Sequence, residues 1–378
     1  MTRRLVALDL PGGNDFVVAL RRIWDDGHAA FPLDRRLPRA GQQQLLARMG
    51  VAEIVTVDGA VALSTGLPVE DGDALVVATS GSGGESKGVV LTHAAVAASA
   101  SATSKRLEVS SADHWLACLP LAHVGGLSVI TRALHTGTRL TVHDGFDPDA
   151  VDASDATLVS LVATALRRID PTRFRTIVLG GSRPPAERPV NSVTTYGMTE
   201  TGSGVVYDRR PLDGVEMRIV DGELHLRCPM LLRCYRDGTD PRTIDGWFPT
   251  GDLADVGDDG LLTVHGRRGD LIITGGENVW PEPVEALLGA LSSVADVAVV
   301  GVLDDEWGHA VTAVVVATDA ATPPTLSELR EVVRRELPGF HAPRRVMIVD
   351  RLPRTTLGKL QRSEIVSNAR ITCARADH

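Results

Sequence analysis

Short apolar runs of strand type alternate with helix-patterned stretches through the first two thirds of the chain. They include "ALVVA" (74–78), "WLACLP" (115–120), "GGLSVITRALHTG" (125–137), "TRLTVHD" (138–144), "ATLVSLV" (156–162), "ATALRRI" (163–169) and "RTIVLGG" (175–181). Alternation of this kind predicts an α/β fold, with helices packed on a sheet. "GVEMRIVDGELHLRC" (214–228) reads as two alternating strands around an Asp221-Gly222 turn, a hairpin signal. Further short strands are predicted in "GWFPTGDLADVGDDGLLTVHGRR" (246–268), separated by turns at Gly246, Gly257 and Asp259-Gly260.

A second module is predicted from Asp270 onward. A helix in "PEPVEALLGAL" (281–291) precedes strands in "DVAVVGVLD" (296–304) and "AVTAVVVAT" (310–318). A helix in "TLSELREVVRREL" (325–337) and a strand in "RVMIVD" (345–350) follow. The expected organisation is a large N-terminal domain, 1–269, of layered sheets with helices and a small β region. A smaller α+β domain, 270–378, completes it. The final residues, "NARITCARADH" (368–378), read as a frayed tail.

Composition narrows the class. Of 378 residues 43% are hydrophobic and 23% charged, with a formal net charge of −9, ordinary for a globular enzyme. Basic residues are outnumbered and form no long cluster, which argues against nucleic acid as a partner. No apolar run reaches the roughly 18–20 residues that span a bilayer, and the N-terminus "MTRRLVALDLPGGND" is a poor signal peptide. Cys118, Cys228, Cys234 and Cys373 show no C-x-x-C spacing, so metal clusters and a disulfide framework are not expected. A cytoplasmic, reduced protein is the expectation.

The first candidate for chemistry is "TSGSGGESKGVV" (79–90). It is not a Walker A loop: Ser86 stands before Lys87 where glycine is needed, and Gly88 follows it where a hydroxyl is needed. Its composition still suits a triphosphate. Gly81, Gly83 and Gly84 let backbone N–H groups face an anion, Thr79, Ser80, Ser82 and Ser86 offer hydroxyls, and Lys87 offers a point charge. On composition alone a flexible surface loop is the alternative.

Further blocks follow in one order: "VLGGSRPP" (178–185), "TTYGMTET" (194–201), "PTGDLA" (249–254), "GRRGDLIITGGENVWPEPVE" (266–285) and "LPRTTLGKLQR" (352–362). Each has a plain structural reading by itself, as a strand end, a turn or a solvated lysine. Together with the glycine-rich loop they resemble the acyl-adenylate-forming ligases. That family's loop has the form T/S-S-G-T/S-T-G-x-P-K-G, and this chain departs from it at Ser86, where proline is usual.

The resemblance implies ATP, Mg²⁺ and coenzyme A, with a carboxylic acid as substrate and no nucleic acid or membrane insertion. A homodimer is the option for assembly. It implies that Tyr196 stacks on adenine, with Gly197 and Met198 beside it, that Thr199 touches phosphate, and that Glu200 ligates Mg²⁺. Gly180, Gly181 and Ser182 border adenine and the acyl group. Asp252 and Arg267 hold the ribose, Asp270 is the hinge of a mobile C-terminal domain, Gly275 and Gly276 line the thiol tunnel, and Lys359 is the adenylation lysine. His123 borders the acyl pocket and the tunnel. The alternative for His123 is a core histidine capping the helix near Gly125.

Within the family, the shortened N-terminal part and "LPLAHVGGLSVITRAL" (119–134) resemble the branch acting on o-succinylbenzoate in menaquinone synthesis. Its substrate keeps a spare carboxylate after activation, and Arg132 is the candidate cation for it. A surface position on the helix is the alternative for Arg132. A ligase for another aromatic or short acid, an adenylation enzyme loading a carrier protein, and a non-catalytic nucleotide-binding protein remain as other readings.

Overall fold

The computed structural model describes residues 3–64, 66–79, 86–181, 184–185, 187–354 and 360–376. The chain divides into two compact units. One comprises Met1–Arg218, His225–Pro249 and Val256–Thr263, and the other Ile219–Leu224, Thr250–Asp255 and Val264–His378.

The first unit holds two seven-stranded sheets. One runs in the order Cys234–Tyr235, Lys87–Thr92, Asp73–Thr79, Ala29–Pro32, Leu5–Asp9, Glu53–Thr56, Gly59–Ala62. The other runs Arg210–Pro211, Ser203–Tyr207, Ser192–Met198, Thr176–Leu179, Leu158–Leu161, His114–Ala117, Arg139–Val142. In the second sheet the strands from Ser192–Met198 to Arg139–Val142 are parallel, and Ser203–Tyr207 is antiparallel to its neighbour. The central strands His114–Ala117, Leu158–Leu161 and Thr176–Leu179 are short and mostly apolar because both faces are covered. Leu116, Leu158, Val159, Ile177 and Leu179 are all buried.

Helices His93–Arg106 and Val124–Thr136 pack on one another. The first follows the strand Lys87–Thr92 and starts on Thr92, whose side chain accepts from the Ala95 N–H at 3.1 Å. Rich in Ala and Ser, it offers a flat surface for close helix packing. The predicted hairpin forms between Glu216–Val220 and Glu223–Arg227. Its Asp221-Gly222 turn has φ of 49° and 76°, the two left-handed residues a two-residue hairpin loop demands. These strands belong to a four-stranded sheet completed by Phe248–Val256 and Leu262–Arg267.

The second unit is built on the sheet Glu277–Val279, Ile272–Thr274, Gly308–Ala317, Val294–Asp304, with Arg345–Ile348 parallel to Gly308–Ala317. The long strand Val294–Asp304 is apolar without alternation because its faces serve two cores. Val297 and Val299 join a cluster with Val284 and Leu288 of helix Pro281–Leu288 and Leu329 and Val333 of helix Leu326–Glu336. Ala298, Val300 and Val302 pack with Ile365 and Ala369. Those two residues lie on a helix, Arg362–Ala376, so the segment expected to fray is helical up to residue 376. Ile365 and Ala369 fall one turn apart, and burying that stripe supplies the stability a free tail lacks. Among the described residues, no helix is long and apolar enough to cross a membrane.

Candidate active site

In the first unit the two strands that flank the glycine-rich segment pair with one another. Thr79 ends one strand and pairs across the sheet with Lys87, which opens the antiparallel partner. Ser80, Gly81, Ser82, Gly83 and Gly84 lie outside the described residues. The Lys87 ammonium stands 4.7 Å from the centroid of the Tyr235 ring, within cation–π range. The Tyr235 hydroxyl in turn donates to Glu200 Oε1 at 3.0 Å. Lysine, tyrosine and glutamate thus form one chain of contacts at the base of the loop. Tyr235 was not anticipated from sequence, because "CY" within "LLRCYRDG" carries no motif of its own.

Glu200 sits in a single turn of 3₁₀ helix, Thr199–Thr201, after the strand Ser192–Met198. The turn is fastened by Thr201, wholly buried, whose hydroxyl accepts from the Met198 N–H and shares its one proton between the Ser203 and Met198 carbonyls, at 2.7 and 2.9 Å. The Glu200 carbonyl accepts from the Leu232 N–H at 2.8 Å. With these bonds from Thr201 and Leu232 the turn is held without the side chains of Thr199 or Glu200.

Gly197 is required by proximity: a Cβ there would lie 2.3 Å from the Ser203 carbonyl oxygen. The strand pairing shifts register between Tyr196 and Gly197, an irregularity near the end of the strand. Gly180 and Gly181 follow the neighbouring parallel strand Thr176–Leu179, and Gly181 has φ of 82°. Gly180 and Gly181 stand just past the carboxyl end of their strand and Tyr196 near the end of its own, where open α/β sheets bind ligands. Ser182 lies outside the described residues.

His123 precedes helix Val124–Thr136 as its backbone cap residue, but its side chain makes no capping bond. Its Nε2 lies 2.9 Å from Arg36 Nη2 and 3.6 Å from Asp34 Oδ2. Burial alone would raise the Asp34 carboxyl, yet the Arg36 hydrogen bonds and charge, with His123 close by, hold it far below the usual range.

Arg132 is not on the surface, as one reading of the helix had it: it is 3% exposed. One guanidinium nitrogen donates to the hydroxyls of Ser128, at 3.0 Å, and Ser203, and the group stands 5.4 Å from the centroid of the Trp115 ring. Its Nε and other terminal nitrogen are buried with no hydrogen-bond partner among the described residues. Burial pushes the guanidinium below its ordinary value. Ser128 also borders, with Val124, Leu127, Thr131 and Gly202, a cavity of about 10 Å³, room for one water.

The second unit holds the two residues expected at the ribose, and it pairs them. Arg267 Nε lies 2.9 Å from Asp252 Oδ1, and Arg267 Nη1 donates to the Thr250 carbonyl at 2.7 Å. Asp252 is 6% exposed. The Gly251 N–H donates to Glu223 at 2.8 Å, and Thr250 bonds the Leu224 carbonyl, so the strand carrying Asp252 is pinned on both sides.

Asp270 ends a 3₁₀ turn, Arg268–Asp270, and its Oδ2 is 3.3 Å from Arg362 Nε. Burial dominates and raises its carboxyl despite the nearby Arg362 and Arg267 charges. Arg362 also makes a two-pronged pair with Glu285, at 2.6 and 2.9 Å. Gly275 and Gly276, with φ of 60° and 85°, form the turn between Ile272–Thr274 and Glu277–Val279. Hairpin geometry therefore accounts for both glycines, and a Cβ at Gly275 would also strike Trp307 at 2.8 Å. Lys359 lies outside the described residues. Its flanks, Arg354 and Leu360, are antiparallel bridge partners.

The expected magnesium can be tested against these residues. Among the described residues there is no group of three His, Cys, Asp or Glu side chains able to hold a metal. Mg²⁺ between phosphates needs only one or two carboxylates, the remaining ligands being phosphate oxygens and water. Glu200, oriented by Tyr235, fits that demand.

Two family models match the chain: AMP-binding enzyme over residues 64–235 and AMP-binding enzyme C-terminal domain over residues 283–359. A probable 2-succinylbenzoate–CoA ligase of Mycobacterium tuberculosis is 40% identical over 336 residues, covering 81% of this chain and 87% of that protein. The o-succinylbenzoate CoA synthetase of Bacillus subtilis, solved with its acyl-adenylate intermediate, superposes with a TM-score of 0.85 at 27% identity. That match covers 96% of this chain and 87% of the other. The same enzyme solved with ATP and a magnesium ion gives a TM-score of 0.84, also at 27% identity, over 95% and 88% of the two chains. With its adenylate-forming N-terminal region and its C-terminal domain, this chain belongs to the AMP-binding enzyme family of acyl-adenylate-forming ligases.

Proposed function

We propose that this enzyme activates o-succinylbenzoate with ATP, releasing pyrophosphate, and passes the acyl group from the adenylate to coenzyme A, releasing AMP. This places it in menaquinone biosynthesis, in the cytoplasm. The names of its relatives supply the substrate, and the single observation that favours a diacid is the state of Arg132. A buried guanidinium with two unpartnered nitrogens is costly unless an anion pairs with it, and a spare carboxylate is such an anion. A monoacid would leave the group unpaired.

The remaining roles follow the motifs. Thr79, Ser80, Gly81, Ser82, Gly83, Gly84 and Lys87 are assigned the phosphates, Thr199 the α-phosphate side, and Tyr196 with Gly197, Met198, Gly180, Gly181 and Ser182 the adenine and acyl edges. Asp252 and Arg267 are assigned the ribose hydroxyls, and Glu200 the magnesium ion, which when bound neutralises phosphate charge. Charge builds on phosphate oxygens as the carboxylate attacks, so the residues act by positioning and electrostatics. Lys359 is assigned that charge. Domain 270–378 is assigned rotation at Asp270, which would exchange Lys359 for the Gly275–Gly276 hairpin beside the thiol.

ATP–pyrophosphate exchange tests the first step without coenzyme A. o-Succinylbenzoate should drive exchange, and added coenzyme A should discharge the adenylate as a thioester with one AMP each. Exchange driven by a carrier protein's acid but not by o-succinylbenzoate would sink the assignment. Tyr235→Phe supplies a second check on Glu200. Losing the donated hydrogen bond should raise KM for Mg·ATP roughly tenfold, the scale of lost support to a metal ligand, with kcat less affected. An unchanged KM would mean that Tyr235 does not orient Glu200.

A further inference from the structure

Asp34 and Arg36 belong to no motif of the predicted site, yet they converge on His123. They sit on the loop after the strand Ala29–Pro32, in a part of the chain to which no chemistry was assigned. Asp34 is 7% exposed, unusually low for a carboxylate. Arg36 grips it at three points: Nε to Oδ1 at 2.8 Å, Nη2 to Oδ2 at 2.8 Å, and backbone N–H to Oδ1 at 3.1 Å. A two-pronged guanidinium–carboxylate pair is geometrically rigid. The same Nη2 then faces His123 Nε2 at 2.9 Å.

Arginine has only donors and keeps its proton at all ordinary pH. A short Nη2–Nε2 contact therefore requires that His123 Nε2 accept. The imidazole must be neutral, with its proton on Nδ1. The competing arrangement, a protonated His123 paired with Asp34, is disfavoured by distance. Asp34 Oδ2 is 3.6 Å from Nε2, beyond hydrogen-bond reach. Among the described residues Nδ1 has no partner, which leaves the N–H on that side for a ligand.

We propose that Asp34 and Arg36 are positioning residues that lock His123 as a neutral Nδ1–H tautomer. His123 then serves as a hydrogen-bond donor to an oxygen of the acyl group and not as a base through Nε2. Asp34 acts through Arg36: its carboxylate fixes the guanidinium, and the guanidinium fixes the ring. The same logic, an acid setting a histidine's tautomer, operates in reverse sense in hydrolase triads, where the carboxylate accepts from Nδ1–H. The consequence for catalysis rests on the acyl-activating function proposed above, while the tautomer itself does not.

The test is long-range ¹H–¹⁵N spectroscopy of the ¹⁵N-histidine-labelled enzyme near neutral pH, with His123 assigned by its loss in His123→Gln. Wild type should show a proton on Nδ1 and none on Nε2. In Asp34→Asn and in Arg36→Gln, the Nε2–H form should appear. In single turnover, acyl transfer from o-succinylbenzoyl adenylate to coenzyme A should fall roughly 10- to 100-fold, the worth of one hydrogen bond to a charged group. KM for ATP should not move. A structural role would shift stability and both substrates' KM together. An Nε2–H ring in wild type, or a tautomer unmoved in both variants, overturns the clamp. A tautomer that moves without any change in acyl transfer overturns the positioning role. The wild-type spectrum decides the tautomer even if the acid is another one.

Discussion

Lys359→Ala is expected to reduce acyl-adenylate formation by roughly 10²–10³-fold, the usual cost of removing one charge that stabilises a transition state. Transfer from synthetic o-succinylbenzoyl adenylate to coenzyme A should be largely spared. The asymmetry is the informative part. The lysine lies in "PRTTLGKLQR", on a stretch whose two ends are held together by the Arg354–Leu360 bridge. Three residues on, Arg362 anchors in a pocket of carboxylates, with Asp270, Glu282 and Glu285 all within 4 Å. Removal of the Lys359 side chain should leave that anchor untouched, so the fold should hold. Single-turnover assays of the two steps read the outcome. Equal losses in both would mean that Lys359 is structural.

Arg132→Met is expected to separate stability from recognition. Taking a cation out of water costs several kcal/mol even after relaxation. Here, among the described residues, only one of the three guanidinium nitrogens is satisfied, by two serine hydroxyls. An unbranched apolar side chain can occupy the same space, so the unfolding midpoint should stay level or rise. KM for o-succinylbenzoate should nevertheless rise about 10²-fold, within the range for truncating one partner of a buried charge pair, and KM for ATP should not. A variant that loses several kcal/mol of stability yet still prefers the diacid would show that Arg132 is a core element only.

The motif blocks made much of the site legible because each is a local feature: a loop, a turn or a strand end. Gly197 illustrates why. Its identity is enforced by the Ser203 carbonyl 2.3 Å from where a Cβ would sit, so the chain writes the constraint at that position. The contacts that the sequence hid are long-range. Asp34 and His123 are 89 positions apart, and Glu200 and Tyr235 are 35 apart. No local pattern marks Asp34 or Tyr235, and only folding of the strands brings them to His123 and Glu200.

The terminal helix was legible in principle. An unbroken apolar strand such as Val294–Asp304 must be covered on both faces. Helices Pro281–Leu288 and Leu326–Glu336 cover one. Something had to cover Ala298, Val300 and Val302, and Ile365 and Ala369 do. Residues 368–378 read as a tail on their own because the strand face that the helix covers lies far earlier in the chain. Gly275 and Gly276 were legible for a local reason: a two-residue hairpin turn demands their positive φ, whatever the turn stands beside.

The most direct test of the substrate is a ratio. Pyrophosphate release, dependent on ATP and coenzyme A, should be measured with o-succinylbenzoate, benzoate and a medium-chain fatty acid under one set of conditions. Failure to pair one buried charge costs a few kcal/mol, so kcat/KM for o-succinylbenzoate should exceed that of either monoacid by at least about 10²-fold. A kcat/KM for benzoate or the fatty acid equal to or above that for o-succinylbenzoate would contradict the assignment of the acid and leave the ligase chemistry standing.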